Sequence, residues 1–314
     1  MKIFQLIDLI IKLFKLNKRS KVVLLFLIPT FLLGQNQAFW LGKRTTGALT
    51  NLLLDDFPGA AVAYSVRKLD KDYTGFAMEI RRASDNATQN IGFVGENLDV
   101  TSINTFCSGT TCTVRTLYDQ SGNGNNCTQL TSGSQPLIYT GGSVITQDGK
   151  AAFQFDGTDD ILVTNNNYTY GSIISMISVA RIITDDIYSR ILSANGDIYA
   201  FLGTAAPPFY IASFFGNGTT WGTVAAQSTV TWNQQRLVVS IAESTNYLYI
   251  DNSAAITRSN PMGSYTGKFD IGGSTATPAQ NGNSNIQEII IYPNTQRSNI
   301  TGIRSNINTY YSIY

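Results

Sequence analysis

Three cysteines, no histidine and a few clustered carboxylates set the chemistry open to this chain of 314 residues. Without histidine there is no Ser-His-Asp or Cys-His catalysis, no imidazole metal site and no histidine pH switch. Acid–base work falls to Asp, Glu, Lys, Tyr or Cys. The run Cys107-Ser-Gly-Thr-Thr-Cys112 suits a small closed disulfide loop in an exported protein. A zinc pair is the other reading, but Cys127 is the sole further thiol and no His can complete the ligand set. Cys127 is then an unpaired, partly buried and inert thiol. The segment Leu117-Tyr-Asp-Gln-Ser-Gly-Asn-Gly-Asn125 is dense in turn formers. Its Asp119 either caps backbone amides in a tight loop or supplies oxygens to a calcium ion. Asp156, Asp159 and Asp160 follow a β-prone run and read as a turn, with a carboxylate pair as the sharper alternative. Glu288 sits in an apolar run where it could face a concave sheet, with no partner evident. Glu243 and Asp251 read as solvated strand ends. No cofactor is implied.

Aromatic residues offer another kind of site. The chain has 16 Tyr, 16 Phe and 3 Trp, and rings that are not core can stack on sugars. Pro207–Tyr210 and Phe214–Trp221 are candidate contact loops, with Phe209, Tyr210, Asn217 and Trp221 as carbohydrate-binding candidates.

The elements that must position these groups are β-strands. From about Thr45 onward, short β-prone runs alternate with Gly/Asn/Ser/Asp clusters, which predicts an all-β sandwich. Period-two patterning stands out in Ala152–Phe155 and Tyr247–Ile250. A short helix is predicted over Leu98–Phe106, with Asp99 near its start. A second is predicted from Thr295 to Tyr311, following Pro293 with Asn294 as N-cap. No internal repeat or linker interrupts residues 45–314, so a single domain is expected there.

Residues 1–44 differ in kind. They carry eight Lys/Arg and one Asp, about +7, against fourteen Lys/Arg and twenty Asp/Glu, about −6, in the remainder. Residues 1–21 read as an amphipathic helix with a basic face, and a thirteen-residue apolar run, Val22–Gly34, follows. That length is short for a membrane span and typical of a signal-peptide core. The segment is expected to be an export signal or a membrane anchor. The acidic body has no basic stripe with interleaved aromatics, so nucleic acid is not an expected partner.

Four blocks in order carry a family resemblance: Ala63–Arg67, Ile80–Asn86, Phe106–Cys112 and Tyr118–Asn125. The stretch resembles the catalytic domain of family-54 α-L-arabinofuranosidases, which implies a concanavalin-like jelly-roll sandwich. Gly216–Gly222 and Phe269–Gly273 also resemble family segments. The second half is in addition similar, at Phe153–Asp160 and Glu288–Tyr314, to laminin-G/concanavalin-type modules of flavobacterial and phage proteins. A retaining glycosidase needs two carboxylates about 5–5.5 Å apart. The resemblance places the nucleophile at about Ile211 and the acid/base at Ser274, directly after Gly272-Gly273. No carboxylate stands between Asp197 and Glu243, and the family's adjacent Cys-Cys pair is missing. The expectation is therefore a non-catalytic glycan- or partner-binding module with no catalytic residues. Its partners would be a cell-surface glycan, the membrane through residues 1–44, or assembly proteins of a cell or virion surface. The alternative is an arabinofuranosidase-like hydrolase with relocated carboxylates, for which Glu288 is the candidate.

Overall fold

The structure is a computed structural model. It describes residues 51–184, 189–194, 199–204, 210–215, 231, 233–259, 263–276 and 280–314. The chain divides into Met1–Ala48 and Leu49–Tyr314, and every described residue lies in the second unit. The export-signal or anchor segment thus falls outside the described residues. Among these, no helix is long and apolar enough to cross a membrane.

The second unit is an all-β sandwich, as the alternating texture predicts. In one layer the strand Asn283–Tyr292 pairs with Ile174–Ile182 on one side and with Val62–Ser65 and Phe153–Asp156 on the other. Ile174–Ile182 continues the layer to Arg236–Ala242 and then Asn246–Ile250. All these pairings are antiparallel. The two central strands are buried along almost their whole length, so both faces are covered. Asn246–Ile250 instead alternates buried and half-buried positions, matching its period-two pattern.

The second layer runs Thr88–Ile91, Met78–Arg82, Cys112–Leu117, Cys127–Thr128, Leu162–Thr164, Phe269–Ile271, Ser189–Ala194, Tyr199–Thr204 and Tyr210–Phe215. Leu137–Thr140 pairs with Cys112–Leu117 and, at Leu137, with Gln154 of the first layer, so it stitches the two together. Between the layers lies one continuous hydrophobic core that includes Tyr64, Met78, Phe153, Phe155, Ile177, Phe269 and Ile290.

Among the described residues, three α-helices decorate the sandwich: α1 (Leu53–Asp56), α2 (Val100–Phe106) and α3 (Ile300–Tyr311). Asp99 is the N-cap of α2, its carboxylate accepting the Ser102 N–H at 3.0 Å. The start of α3 departs from expectation. A 3₁₀ turn over Arg297–Asn299 precedes it, and its N-cap is Asn299. Asn294 instead accepts from the Gln296 side chain at 2.7 Å, so the sequence signal marked the end of the strand rather than the cap. Ile300, Ile303, Ile307 and Tyr311 pack α3 onto the core.

Candidate active site

Cross-strand registers align one row across the outer face of the second layer: Asn90, Glu79, Thr116, Thr128, Val163, Asp270 and Ser193. Their strand neighbours Met78, Leu117, Cys127, Leu162, Ile271 and Leu192 are fully buried in the core. Alternation therefore turns the polar row away from the core. At one end of that face, strand Phe269–Ile271 gives way to the Gly272-Gly273-Ser274 turn. Gly272 has φ +80°, and a Cβ there would lie 2.1 Å from the Phe155 ring. A Cβ on Gly273 would lie 2.2 Å from Asn281 Oδ1. Both glycines are thus required by close approach.

Asn281 couples this turn to the loop carrying the acidic cluster. Its Oδ1 accepts the Ser274 N–H at 3.2 Å, and its Nδ2 donates to the Thr158 carbonyl at 2.9 Å. In that loop the Asp156 carboxylate accepts the Thr158 N–H at 2.7 Å, which is the turn the sequence predicts. Asp160 is buried, and its Oδ2 accepts the Asp156 N–H at 3.0 Å. Asp159 is exposed and accepts from Ser134 Oγ at 2.9 Å. One oxygen from each of Asp156, Asp159 and Asp160 lies within 4.8 Å of the others. Burial, reinforced by the charges of Asp156 and Asp159, pushes the Asp160 carboxyl up to about 7. Asp270 is also raised by burial, although Thr275, which donates to its Oδ2 at 2.7 and 2.8 Å, and the charge of Arg190 both favour the ionised form.

The positions to which the resemblance assigns the two carboxylates hold side chains that cannot ionise. Ile211 and Ser274 are both buried. Glu288, the alternative candidate, corrects the expectation of a concave-surface acid. It is fully buried, accepting from Arg67 Nε at 2.8 Å, Arg67 Nη2 at 3.1 Å, Ser65 Oγ at 2.8 Å and Tyr311 OH at 3.2 Å. No substrate can reach it, and its role is to neutralise Arg67 beneath α3.

Asp119 likewise belongs to its loop. Its Oδ1 accepts the N–H of Ala63 and of Ser121, each at 2.9 Å. Its Oδ2 accepts the Asn125 N–H at 3.1 Å and Ser121 Oγ at 2.8 Å. With both oxygens doubly engaged, the amide-capping reading replaces the calcium one. Among the described residues, the trios with carboxylates close enough to share a cation are Asp156/Asp159/Asp160 and Asp55/Asp70/Asp72. In the latter, Lys71 already bonds Asp55 and Asp72.

Cys107 and Cys112 form the disulfide, their Cα atoms 5.9 Å apart. Cys127 is fully rather than partly buried, and burial drives its thiol far above the usual range, so it is inert. Of the carbohydrate-binding candidates, Phe209, Asn217 and Trp221 lie outside the described residues. Tyr210 opens the strand Tyr210–Phe215, with its side chain outside the description.

Residues 55–188 match the family model described as "Alpha-L-arabinofuranosidase B, catalytic". The chain resembles a family-54 α-L-arabinofuranosidase catalytic domain. Alpha-L-arabinofuranosidase B of Aspergillus kawachii is 33% identical over 109 residues, covering 31% of this chain and 22% of that protein. The enzyme of the same name from Aspergillus niger is 38% identical over 109 residues, with the same coverage of each. The chain thus spans about a fifth of the length of these curated relatives. Among solved structures, a family-54 α-L-arabinofuranosidase variant soaked with 4-nitrophenyl α-L-arabinofuranoside superposes with a TM-score of 0.61 at 16% identity. That match covers 81% of this chain and 63% of the other. A family-54 enzyme soaked with a cyclic sulfate inhibitor gives 0.59 at 15% identity, with the same coverage. These two establish the shared fold. The expectation of a non-catalytic binding or structural module is corrected here. The matched model is that of a catalytic domain, and the relatives it aligns with are arabinofuranosidases.

Proposed function

We propose that this arabinofuranosidase-like domain is a glycoside hydrolase acting on α-L-arabinofuranosides, with its carboxylates relocated to the 156–160 loop. The observation that carries this reading is the cluster of Asp159 and Asp160 beside the Gly272–Ser274 turn, where the resemblance places an acid. A carboxylic acid held at about 7 is suited to protonate a leaving oxygen at neutral pH. The exposed Asp159, held by Ser134, supplies the second carboxylate. One oxygen of each lies within 4.8 Å of the other, closer than the roughly 6.5–9.5 Å of an inverting pair, which favours a retaining mechanism. Asp160 would give its proton to the glycosidic oxygen as the Asp159 carboxylate attacks the anomeric carbon. Water would then hydrolyse the glycosyl–enzyme bond, returning its proton to Asp160.

Export is part of the same proposal. It is supported by the basic, apolar character of residues 1–34 and by the disulfide, which requires an oxidising compartment to persist.

The test is release of 4-nitrophenol from 4-nitrophenyl α-L-arabinofuranoside by the full-length protein. Asp160→Asn and Asp159→Asn are each expected to lower kcat/KM by about 100-fold or more, consistent with loss of acid–base catalysis. Asp85→Asn, a remote exposed carboxylate, should leave it unchanged. No turnover by the unaltered protein, or full turnover by both loop variants, overturns the reading.

A further inference from the structure

A polar pocket lies where α3 meets the start of α1. It encloses about 240 Å³ and is lined by Asn51, Arg67, Glu96, Lys150, Asn306 and Tyr310, among others. It shares no residue with the Asp156–Asp160 loop or the Gly272 turn. Clefts for drug-sized ligands run to about 300–1,000 Å³, so this one is sized for a single sugar ring.

Its floor is preorganised. Arg67 is buried, and Glu288 takes its Nε and Nη2 hydrogens. Its Nη1 donates to Asn306 Oδ1 at 2.9 Å and to Glu96 at 3.2 Å. The guanidinium charge is therefore spent on its own carboxylates. Lys150 is not. Its ammonium lies 4.0 Å from the Tyr310 ring centroid, with Asn97 Oδ1 at 3.4 Å, and among the described residues no carboxylate forms an ion pair with it. The pocket thus presents a positioned cation. Its lining also includes Glu96, a half-buried carboxylate with acceptor capacity to spare, and the side chains of Asn51 and Asn306.

We propose that this pocket binds a sugar acid, with the ligand carboxylate paired to Lys150 and its ring hydroxyls donating to Glu96. The juxtaposition is selective by chemistry. A neutral sugar leaves the ammonium unpaired, and a simple carboxylate or phosphate leaves Glu96 facing an anion. A uronate satisfies both groups.

The test is titration of the full-length protein with sodium glucuronate, glucose, acetate and inorganic phosphate, followed by calorimetry. Glucuronate is expected to bind at least tenfold more tightly than the other three. Lys150→Met should abolish that preference, and Glu96→Ala should weaken glucuronate binding several-fold. Neither variant should change hydrolysis of the aryl arabinofuranoside, so failure here is distinguishable from failure of the hydrolase reading. Absence of glucuronate binding, equal binding of acetate or phosphate, equal binding of glucose, or full preference in Lys150→Met would each overturn the proposal.

Discussion

At the scale of single residues, two carboxylates, Glu288 and Asp160, have been given different work by their surroundings. Glu288 is fully buried and fully bonded, so removing its charge should leave the Arg67 guanidinium buried with half its partners lost. Breaking such a pair by one member costs about 3–5 kcal/mol. Glu288→Gln should therefore lower the unfolding free energy in urea by that amount, and a loss below about 1 kcal/mol would contradict the assignment. Asp160 makes the opposite prediction. Its folded-state value of about 7 lies above the 3.8 of an ordinary Asp, so the folded protein holds a proton that the unfolded chain releases. Its contribution to stability is therefore greatest below about pH 4. It is lost as pH rises to about 7 and is constant beyond. Asp160→Asn should remove that slope, which is read by comparing urea midpoints of the two proteins at pH 4, 5.5 and 7.5. A difference that does not vary with pH would show that Asp160 is not perturbed.

At the scale of elements, what was legible followed the local rules. Asp99 and the apolar residues behind it announced α2, and a cap of this kind is worth about 0.5–2 kcal/mol. Asp99→Ala should lower the urea midpoint accordingly. The paired cysteines announced the loop that follows α2. The start of α3 was misplaced because the 3₁₀ turn over Arg297–Asn299 offers no distinctive side-chain signal, while Pro293 and Asn294 offer a strong but incidental one. The site was less legible for a different reason. Asp156-Gly-Thr-Asp-Asp160 is a turn by its own hydrogen bonds. Its proximity to the Gly272–Ser274 turn depends on Asn281, more than a hundred residues away in sequence, reaching Thr158. No local pattern encodes such a contact. Glu288 was misread for the same reason, since its partners Ser65 and Arg67 come from the far end of the domain.

At the scale of the whole molecule, the ends of the domain are joined through one core. Leu53 and Leu54 of α1 belong to the same hydrophobic cluster as Ile303, Ile307 and Tyr311 of α3, and that cluster also contains the inward faces of both layers. Tyr311 belongs to it and donates to Glu288 of the buried Arg67–Glu288 pair, so α3 also keeps water from that ion pair. Ending the chain after Asn299 would remove four buried apolar side chains, Ile300, Ile303, Ile307 and Tyr311. Single large-to-small changes at such sites each cost about 2–5 kcal/mol, so four together are comparable to the whole of the roughly 5–15 kcal/mol that holds a domain folded. The truncated chain should therefore lose its near-ultraviolet circular dichroism and its protease resistance throughout, including the segment 60–130 at the opposite end of the sequence. A protease-resistant fragment spanning 60–130 would instead mean that the two layers are held independently and that α3 serves only the pocket it lines.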